Sequence, residues 1–215
     1  MLISTFLHSP LIFAAFIIGL VIAITVHEFA HAWIAYRNGD PTAKMYGRLT
    51  LNPLTHLDPL GTLFLFLVGF GWGKPVPINP VYFRHRSDEL KVAIAGIVAN
   101  IILAFILAIP LRIALLTGHA IDSNLILSFL EVLVDINLVL AAFNILPIFP
   151  LDGSHFVEYF LDDYGRAVFQ QYGPFILLFL LIADRISGFS IISAIIEPII
   201  RLLSFLVKGT FSIFF

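Results

Sequence analysis

The sequence predicts an all-α polytopic membrane protein with about five to six transmembrane helices. Hydrophobic residues make up 60% of the 215 residues and charged residues only 12%, and the mean hydropathy is +1.00. These values lie far outside the range of soluble domains. The apolar residues are concentrated in long runs, and most of the positive residues lie between the first two of them.

Five apolar runs are long enough to cross a bilayer as helices, which takes about 20 residues each. The fourth run is the shortest of the five. The runs lie near residues 11–36, 90–117, 125–147, 172–187 and 190–207.

A shorter apolar run at residues 60–73 is bounded by glycines, which is typical of a re-entrant or interfacial segment. Beside it, residues 46–53 alternate between polar and apolar types, and residues 74–83 carry three prolines. Such patterns favour strands at an exposed sheet edge. We therefore expect a small β-sheet or a re-entrant loop on the cytoplasmic side, between the first and second core helices.

The orientation in the membrane follows from the positive residues. Seven of the twelve Lys and Arg residues lie between the first two long helices, which places this region in the cytoplasm by the positive-inside rule. The N-terminus is then outside, and the protein is expected in the cell membrane as a multi-pass protein. The seven residues are Arg37, Lys44, Arg48, Lys74, Arg84, Arg86 and Lys91.

The composition also narrows the organisation and the partners. We expect a single membrane-embedded domain over residues 1–215, with a core at 11–160 and accessory C-terminal helices at 170–208. A net charge of −2 gives no basic field for nucleic acid, so the expected partners belong to the lipid bilayer. Because the chain has no cysteine, a metal would be held by His, Asp, Glu or Asn.

Residues His27, Glu28 and His31 form the pattern HExxH inside the first apolar run. Residues four apart share a face of a helix, so both imidazoles can reach one metal ion while Glu28 faces its water. Zinc suits such ligands. A chance match is the alternative, but each buried ionisable residue in a membrane costs at least ~2.5 kcal/mol, so an unused cluster is improbable.

A catalytic zinc takes a third protein ligand. HExxH lies near the cytoplasmic end of its helix, and the third long helix reaches that depth near residues 144–155. Depth therefore leaves Asp152 and His155 as the leading choices, because Glu131 and Asp135 lie too far toward the outside. The full set of candidates is His56, Glu131, Asp135, Asp152, His155 and Glu158.

Two separated motifs, HEFAH at residues 27–31 and FNILPIFPLDG at 143–153, resemble the site-2 protease family of intramembrane zinc metalloproteases. The resemblance is to a compact form without a PDZ or CBS domain. It extends through three further stretches and covers roughly residues 20 to 160. These stretches are GRLTLNPLTHLDPLGT at 47–62, GWGKPVPINP at 71–80 and GIVAN at 96–100.

The resemblance implies that His27, His31 and Asp152 bind one zinc ion per chain and that Glu28 is the general base. It also singles out Asn144 as a stabiliser of the oxyanion or a holder of the substrate carbonyl. An amide donor near a metal can hydrogen-bond a developing negative charge. The structural alternative for Asn144 is a side chain that caps or supports the kink.

Four further residues have two readings each. Gly96 and Asn100 resemble a short motif of the family; packing is favoured for Gly96, while support of the active site and a structural role are equally plausible for Asn100. His155 and His56 could each orient a metal ligand or be an ordinary interfacial histidine. His155 stays a candidate for orienting a ligand, and a structural role is favoured for His56.

The function expected from this resemblance is zinc-dependent endopeptidase activity within the membrane. Water activated by zinc would cleave a transmembrane segment near the cytoplasmic face, in substrates that are transmembrane proteins or remnant signal peptides. The alternatives are a catalytically silent scaffold, a metal-binding or transport protein that uses the same site, and a different membrane zinc protease with a glutamate as third ligand. The sequence specifies no oligomeric state.

Overall fold

The structure is a computed structural model that describes residues 10–68, 71–118, 121, 124–186 and 191–211. These residues form eight α-helices, together with one-turn 3-10 helices at Pro53–Thr55 and Pro80–Tyr82. The α-helices are α1 (Pro10–Arg37), α2 (Thr42–Met45), α3 (Pro59–Val68), α4 (Ser87–Leu116), α5 (Leu125–Asn144), α6 (Ser154–Phe160), α7 (Asp163–Ile186) and α8 (Ile191–Lys208).

Helices α1, α4 and α5 pack against one another and form the core. On α1 and α4, small or polar buried residues recur at every fourth position, which puts them on one face of each helix. Small side chains let helices approach closely in a membrane, so the predicted metal ligands of α1 continue a packing stripe. The stripe of α1 is Ala15, Gly19, Ala23, His27, His31 and Ala35, and that of α4 is Gly96, Asn100, Ala104 and Ala108.

Helix α8 packs against α4, α5 and α7. Its residues Ile192, Ile196 and Ile200 join an apolar cluster with the end of α5 and the loop that follows it. Val207, at the other end of α8, joins a second cluster between α4 and α5. The C-terminal helix is therefore part of the hydrophobic core along its length.

The predicted β-sheet is wrong. Among the residues that the structure describes there is no strand, and a single isolated bridge pairs Leu57 with Gly73. Residues 46–53 instead form turns that lead into a 3-10 helix, and residues 74–79 run without regular structure.

The prolines of residues 74–83 explain why no strand ladder forms there. Proline supplies no N–H donor. The donors of Lys74, Val76 and Asn79 bond to the His56 carbonyl and to the side chains of Glu28 and Asp40. These partners do not belong to a neighbouring strand, so the segment forms no sheet.

Within the described part of the chain, four helices are long and apolar enough to cross a membrane: Pro10–Arg37, Ser87–Leu116, Leu125–Asn144 and Asp163–Ala183. The last predicted crossing forms α8, which carries three charged residues and is not among the four. The predicted count of five to six is therefore not confirmed. Helix α3 has 10 residues and is about 15 Å long, half of a hydrocarbon core of about 30 Å.

Candidate metal centre

Three side chains from distant parts of the chain converge between α1 and the loop after α5. His27 Nε2 lies 3.0 Å from His31 Nε2 and 3.1 Å from Asp152 Oδ2. His31 Nε2 lies 3.3 Å from the same oxygen. The two histidines are each 6% exposed. The HExxH pattern and Asp152 thus form one buried group of potential metal ligands.

Gly96 of α4 lies directly against this group. A Cβ atom at this position would stand 2.5 Å from His31 Nε2 and 2.6 Å from His27 Cε1. Real Cβ atoms essentially never approach a neighbour so closely, so α4 can pack over the two imidazoles only with glycine here. The packing role predicted for Gly96 is thus packing against the histidines themselves.

A chain of amides fixes the tautomer of His27. Asn137 Nδ2 donates to the backbone carbonyl of Leu133 at 2.8 Å, so its Oδ1 is left to accept from Asn100 Nδ2 at 2.9 Å. Asn100 Nδ2 also donates to the Ala23 carbonyl at 3.0 Å. Asn100 Oδ1 therefore faces His27 Nδ1 at 2.7 Å as an acceptor, and Nδ1 must carry the proton.

His31 is fixed in the same way by the backbone of α4. Its Nδ1 lies 2.7 Å from the carbonyl oxygen of Val92. A carbonyl only accepts, so this Nδ1 is the donor. With Nδ1 as the donor, each neutral imidazole presents Nε2 toward the other ligand atoms, and this nitrogen is the one that can bind a metal.

The three ligand atoms suit a bound cation. Two imidazole nitrogens and a carboxylate oxygen lie 3.0 to 3.3 Å from one another, and Asp152 Oδ2 is buried without a hydrogen bond from any described donor. Zinc bonds of about 2.0–2.1 Å in a tetrahedron put ligand atoms roughly 3.3 Å apart. The spacing and the chemistry of the donors both fit zinc.

The loop after α5 carries Asp152 to this point. It contains a cis peptide bond between Phe149 and Pro150. The Gly153 N–H donates to the carbonyl of Asn144 at 2.7 Å, which closes the loop on the end of α5. A Cβ at Gly153 would stand 2.2 Å from the Ile145 carbonyl oxygen, so the loop needs glycine at this position.

Each of the predicted catalytic residues, Glu28 and Asn144, makes a hydrogen bond through its side chain. Glu28 is partly buried, and its Oε2 accepts a hydrogen bond from the Val76 N–H at 2.8 Å. Asn144 is partly buried as well, and its Nδ2 donates to the Leu140 carbonyl at 2.9 Å. One of the two N–H groups of this amide is therefore engaged within α5.

The other histidine candidates lie outside the group. His56 is fully buried, and its Nε2 contacts the Thr50 carbonyl at 2.8 Å, which agrees with a structural role. His155 has a side chain that is 40% exposed, with Nδ1 at 3.8 Å from Glu158 Oε2. In the described part of the chain, neither joins His27, His31 and Asp152.

The acidic candidates Glu131 and Asp135 bind a lysine instead. Lys208 Nζ lies 2.7 Å from Asp135 Oδ1 and 3.3 Å from Glu131 Oε1. All three residues are buried. They form an ionic cluster between α5 and α8 that is separate from the metal-ligand group.

Comparison with known proteins places the chain in a family. A model described as Peptidase family M50 matches residues 15–116 and 107–183. The chain belongs to peptidase family M50. The "Putative zinc metalloprotease YwhC" of Bacillus subtilis (strain 168) is 38% identical over 91% of this chain and 99% of that protein.

Two mycobacterial relatives of this M50 peptidase are more distant. The "Putative zinc metalloprotease Rip2" of Mycolicibacterium smegmatis (strain ATCC 700084 / mc(2)155) is 33% identical over 82% of this chain and 70% of that protein. The protein of the same name from Mycobacterium tuberculosis (strain ATCC 25618 / H37Rv) is 30% identical over 80% and 66%. No solved structure gives a significant match.

These matches confirm the resemblance to the site-2 proteases. The predicted enzyme class, a zinc metalloprotease, and the predicted cofactor, zinc, are confirmed with it. The apolar helices agree with a multi-pass membrane protein.

Sequence reasoning missed Asn137 as part of the site. Asn137 accepts a hydrogen bond from Asn100, and Asn100 in turn accepts one from His27. A signal was present, because an asparagine in the middle of an apolar helix needs a polar partner. The pattern does not say which partner, since the two asparagines are 37 positions apart.

Proposed function

We propose that this M50 peptidase is an intramembrane endopeptidase that cleaves transmembrane segments of membrane-anchored substrates near the cytoplasmic face. Membership of the family makes it a membrane zinc metalloprotease. The observation that carries the proposal is the meeting of two bare imidazole nitrogens and the Asp152 carboxylate within a bundle of apolar helices. Glu28 lies beside them on the same helix.

In this proposal His27, His31 and Asp152 hold the zinc ion. Bound zinc polarises a carbonyl oxygen and lowers the pKa of a water molecule to about 7. Glu28 takes a proton from the attacking water while the water oxygen bonds to the carbonyl carbon of the peptide. Glu28 then gives the proton to the leaving nitrogen as the C–N bond breaks, so the products are a carboxylic acid and an amine.

Asn144 is proposed to donate its remaining amide N–H to the developing oxyanion. Its backbone carbonyl accepts from Gly153, one residue from Asp152, so the amide and the ligand belong to one rigid turn. Replacing Asn144 with alanine is expected to lower kcat by about 100-fold, the usual effect of losing an oxyanion donor.

The site is proposed to lie on the cytoplasmic side. His27 and His31 stand in the C-terminal half of α1, and the segment between α1 and α4 holds five of the twelve positive residues, with Arg37 and Lys91 in the adjoining helix ends. By the positive-inside rule that segment is cytoplasmic. Substrates are proposed to be transmembrane proteins or remnant signal peptides, because the ligand group lies among helices that are long and apolar enough to cross the bilayer.

A reconstituted assay tests the proposal. The purified full chain is placed in liposomes with zinc and a panel of single-span substrates, and wild type is compared with Glu28→Gln. Cleavage within the cytoplasmic half of a transmembrane segment by wild type alone is the expected result. Cleavage that survives Glu28→Gln would overturn the mechanism, and zinc binding without any cleavage would favour a metal-binding scaffold.

A further inference from the structure

The backbone amide of Val76 is the group that contacts the carboxylate of Glu28. Prolines stand on both sides of it, at positions 75 and 77, so Val76 has the one N–H in this tripeptide. That N–H donates to Glu28 Oε2 at 2.8 Å. Val76 itself is 7% exposed and packs with Ala32 and Ala43.

The segment that carries Val76 is held at both ends. On one side, the Lys74 N–H donates to the His56 carbonyl at 2.8 Å. On the other side, the Asn79 N–H donates at 2.7 Å to the carboxylate of Asp40, which is fully buried. Residues 74–79 therefore cannot drift from Glu28 without breaking buried hydrogen bonds, which is costly.

Arg48 provides a third hydrogen bond that keeps residues 74–79 in place. Its Nη2 donates to the Lys74 carbonyl at 2.5 Å, and the residue is 7% exposed. Burial lowers the pKa of the Arg48 guanidinium, and the negative charge of Glu28 opposes that effect. Arg48 thus holds the segment through its hydrogen bond to the Lys74 carbonyl, and its charge interacts electrostatically with that of Glu28.

We propose that the Val76 amide orients the Glu28 carboxylate for proton transfer, with Arg48 as the positioning residue that holds the amide in place. This inference rests on the proposed role of Glu28 as general base. One carboxylate oxygen is engaged by the N–H, which fixes the carboxyl plane and leaves Oε1 for the reacting proton. Preorganisation of this kind lowers the cost of reaching the productive geometry.

The test removes the N–H and keeps the backbone path. In Val76→Pro the donor is lost, and proline is the matched substitution because a residue before Pro77 already favours the extended region that proline also adopts. Val76→Ala keeps the donor and removes side-chain packing. We expect kcat to fall about 10- to 100-fold in the proline variant, as for loss of a hydrogen bond to a charged group.

The same proline variant should keep its KM, its zinc content and its melting temperature, and Val76→Ala should stay within a few-fold of wild type. A folded Val76→Pro protein with wild-type kcat would overturn the inference. So would an equal loss in both variants, or a loss expressed in KM alone, which would assign the segment to substrate binding.

A second pair decides the matter if Val76→Pro fails to fold. Arg48→Met removes the hold on the Lys74 carbonyl, and Arg48→Lys keeps a donor and the charge. We expect lower kcat at unchanged KM for the methionine variant and recovery with lysine; wild-type kcat in Arg48→Met would overturn the inference. Glu28→Gln distinguishes failure of the proposed general base from failure of this inference. Activity in Glu28→Gln would refute the general-base role of Glu28 itself.

Discussion

The side-chain carbonyl of Asn100 accepts a hydrogen bond from His27 Nδ1 across 2.7 Å and so joins α4 to α1 at the metal centre. The bond fixes the ring plane and leaves Nε2 free for a metal. Because Asn100 is itself held by Ala23 and Asn137, the imidazole is set by a network that is fully buried.

Replacing Asn100 with alanine should therefore weaken zinc binding. Loss of the group that orients a ligating histidine typically costs 10- to 100-fold in metal affinity, so we expect a rise of about that size in the zinc Kd. The measurement is competition with a chromophoric chelator. Asn137→Ala should have a smaller effect, because the Ala23 carbonyl still holds Asn100. An unchanged Kd in Asn100→Ala would contradict the proposed network.

Gly96→Ala should disable the site by displacing the imidazoles. The added methyl would stand 2.5 Å from His31 Nε2, so the rings or the helix must move. A misplacement of about 1 Å in an active site costs on the order of 100-fold in rate, and we expect a loss of that order in kcat/KM.

The control for Gly96→Ala is Val98→Ile, which adds one methyl to the same helix at a residue that is 42% exposed. It should leave kcat/KM and zinc content near wild type. If both variants lose activity equally, the effect lies in α4 as a whole and not in the contact with the histidines.

These contacts show what the sequence can and cannot predict. The spacing of His27 and His31 needs only a helix to bring both rings to one face, and the four-residue stripe of α1 supplies it. The three longest predicted runs match α1, α4 and α5 to within a few residues, because uninterrupted apolar stretches leave the chain no alternative in lipid.

The prediction of a β-sheet is wrong because a strand pattern describes one segment only, whereas a sheet also needs a neighbouring strand that pairs with it. Residues 74–79 run without regular structure, and the N–H donors of Lys74, Val76 and Asn79 go to the His56 carbonyl, Glu28 and Asp40. Those partners lie up to 48 positions away. The neighbouring residues in the sequence do not indicate such pairings. They also do not indicate the partners of Lys208, which are 73 and 77 positions away.

Removal of zinc should lower stability through the metal-ligand group. A ligand at about 100 times its Kd stabilises the folded state by about 2.7 kcal/mol. We expect a chelator to lower the melting temperature of the wild-type protein in detergent. The shift should nearly vanish in His31→Ala, which already lacks a ligand; an equal shift in both proteins would place the stabilising zinc elsewhere.

Lys208→Met should be strongly destabilising, although Lys208 lies far along the chain from the metal centre. The lysine is 2% exposed and neutralises Asp135 and Glu131. Removing it breaks the two buried contacts that Lys208 makes, and breaking a buried ion pair costs about 3–5 kcal/mol. The melting temperature in detergent is the measurement. Combining Lys208→Met with Asp135→Asn should recover part of the loss.

The comparison for Lys208 is the exposed pair on the same helix. Arg201 Nη2 lies 2.6 Å from Glu197 Oε1, with side chains 57% and 50% exposed. Exposed ion pairs contribute at most about 1 kcal/mol, so Arg201→Met should barely change the melting temperature. If the two methionine variants were equally stable, the buried cluster would not hold α8 to α5. A large difference would show that the C-terminal helix is anchored by charge as well as by apolar packing.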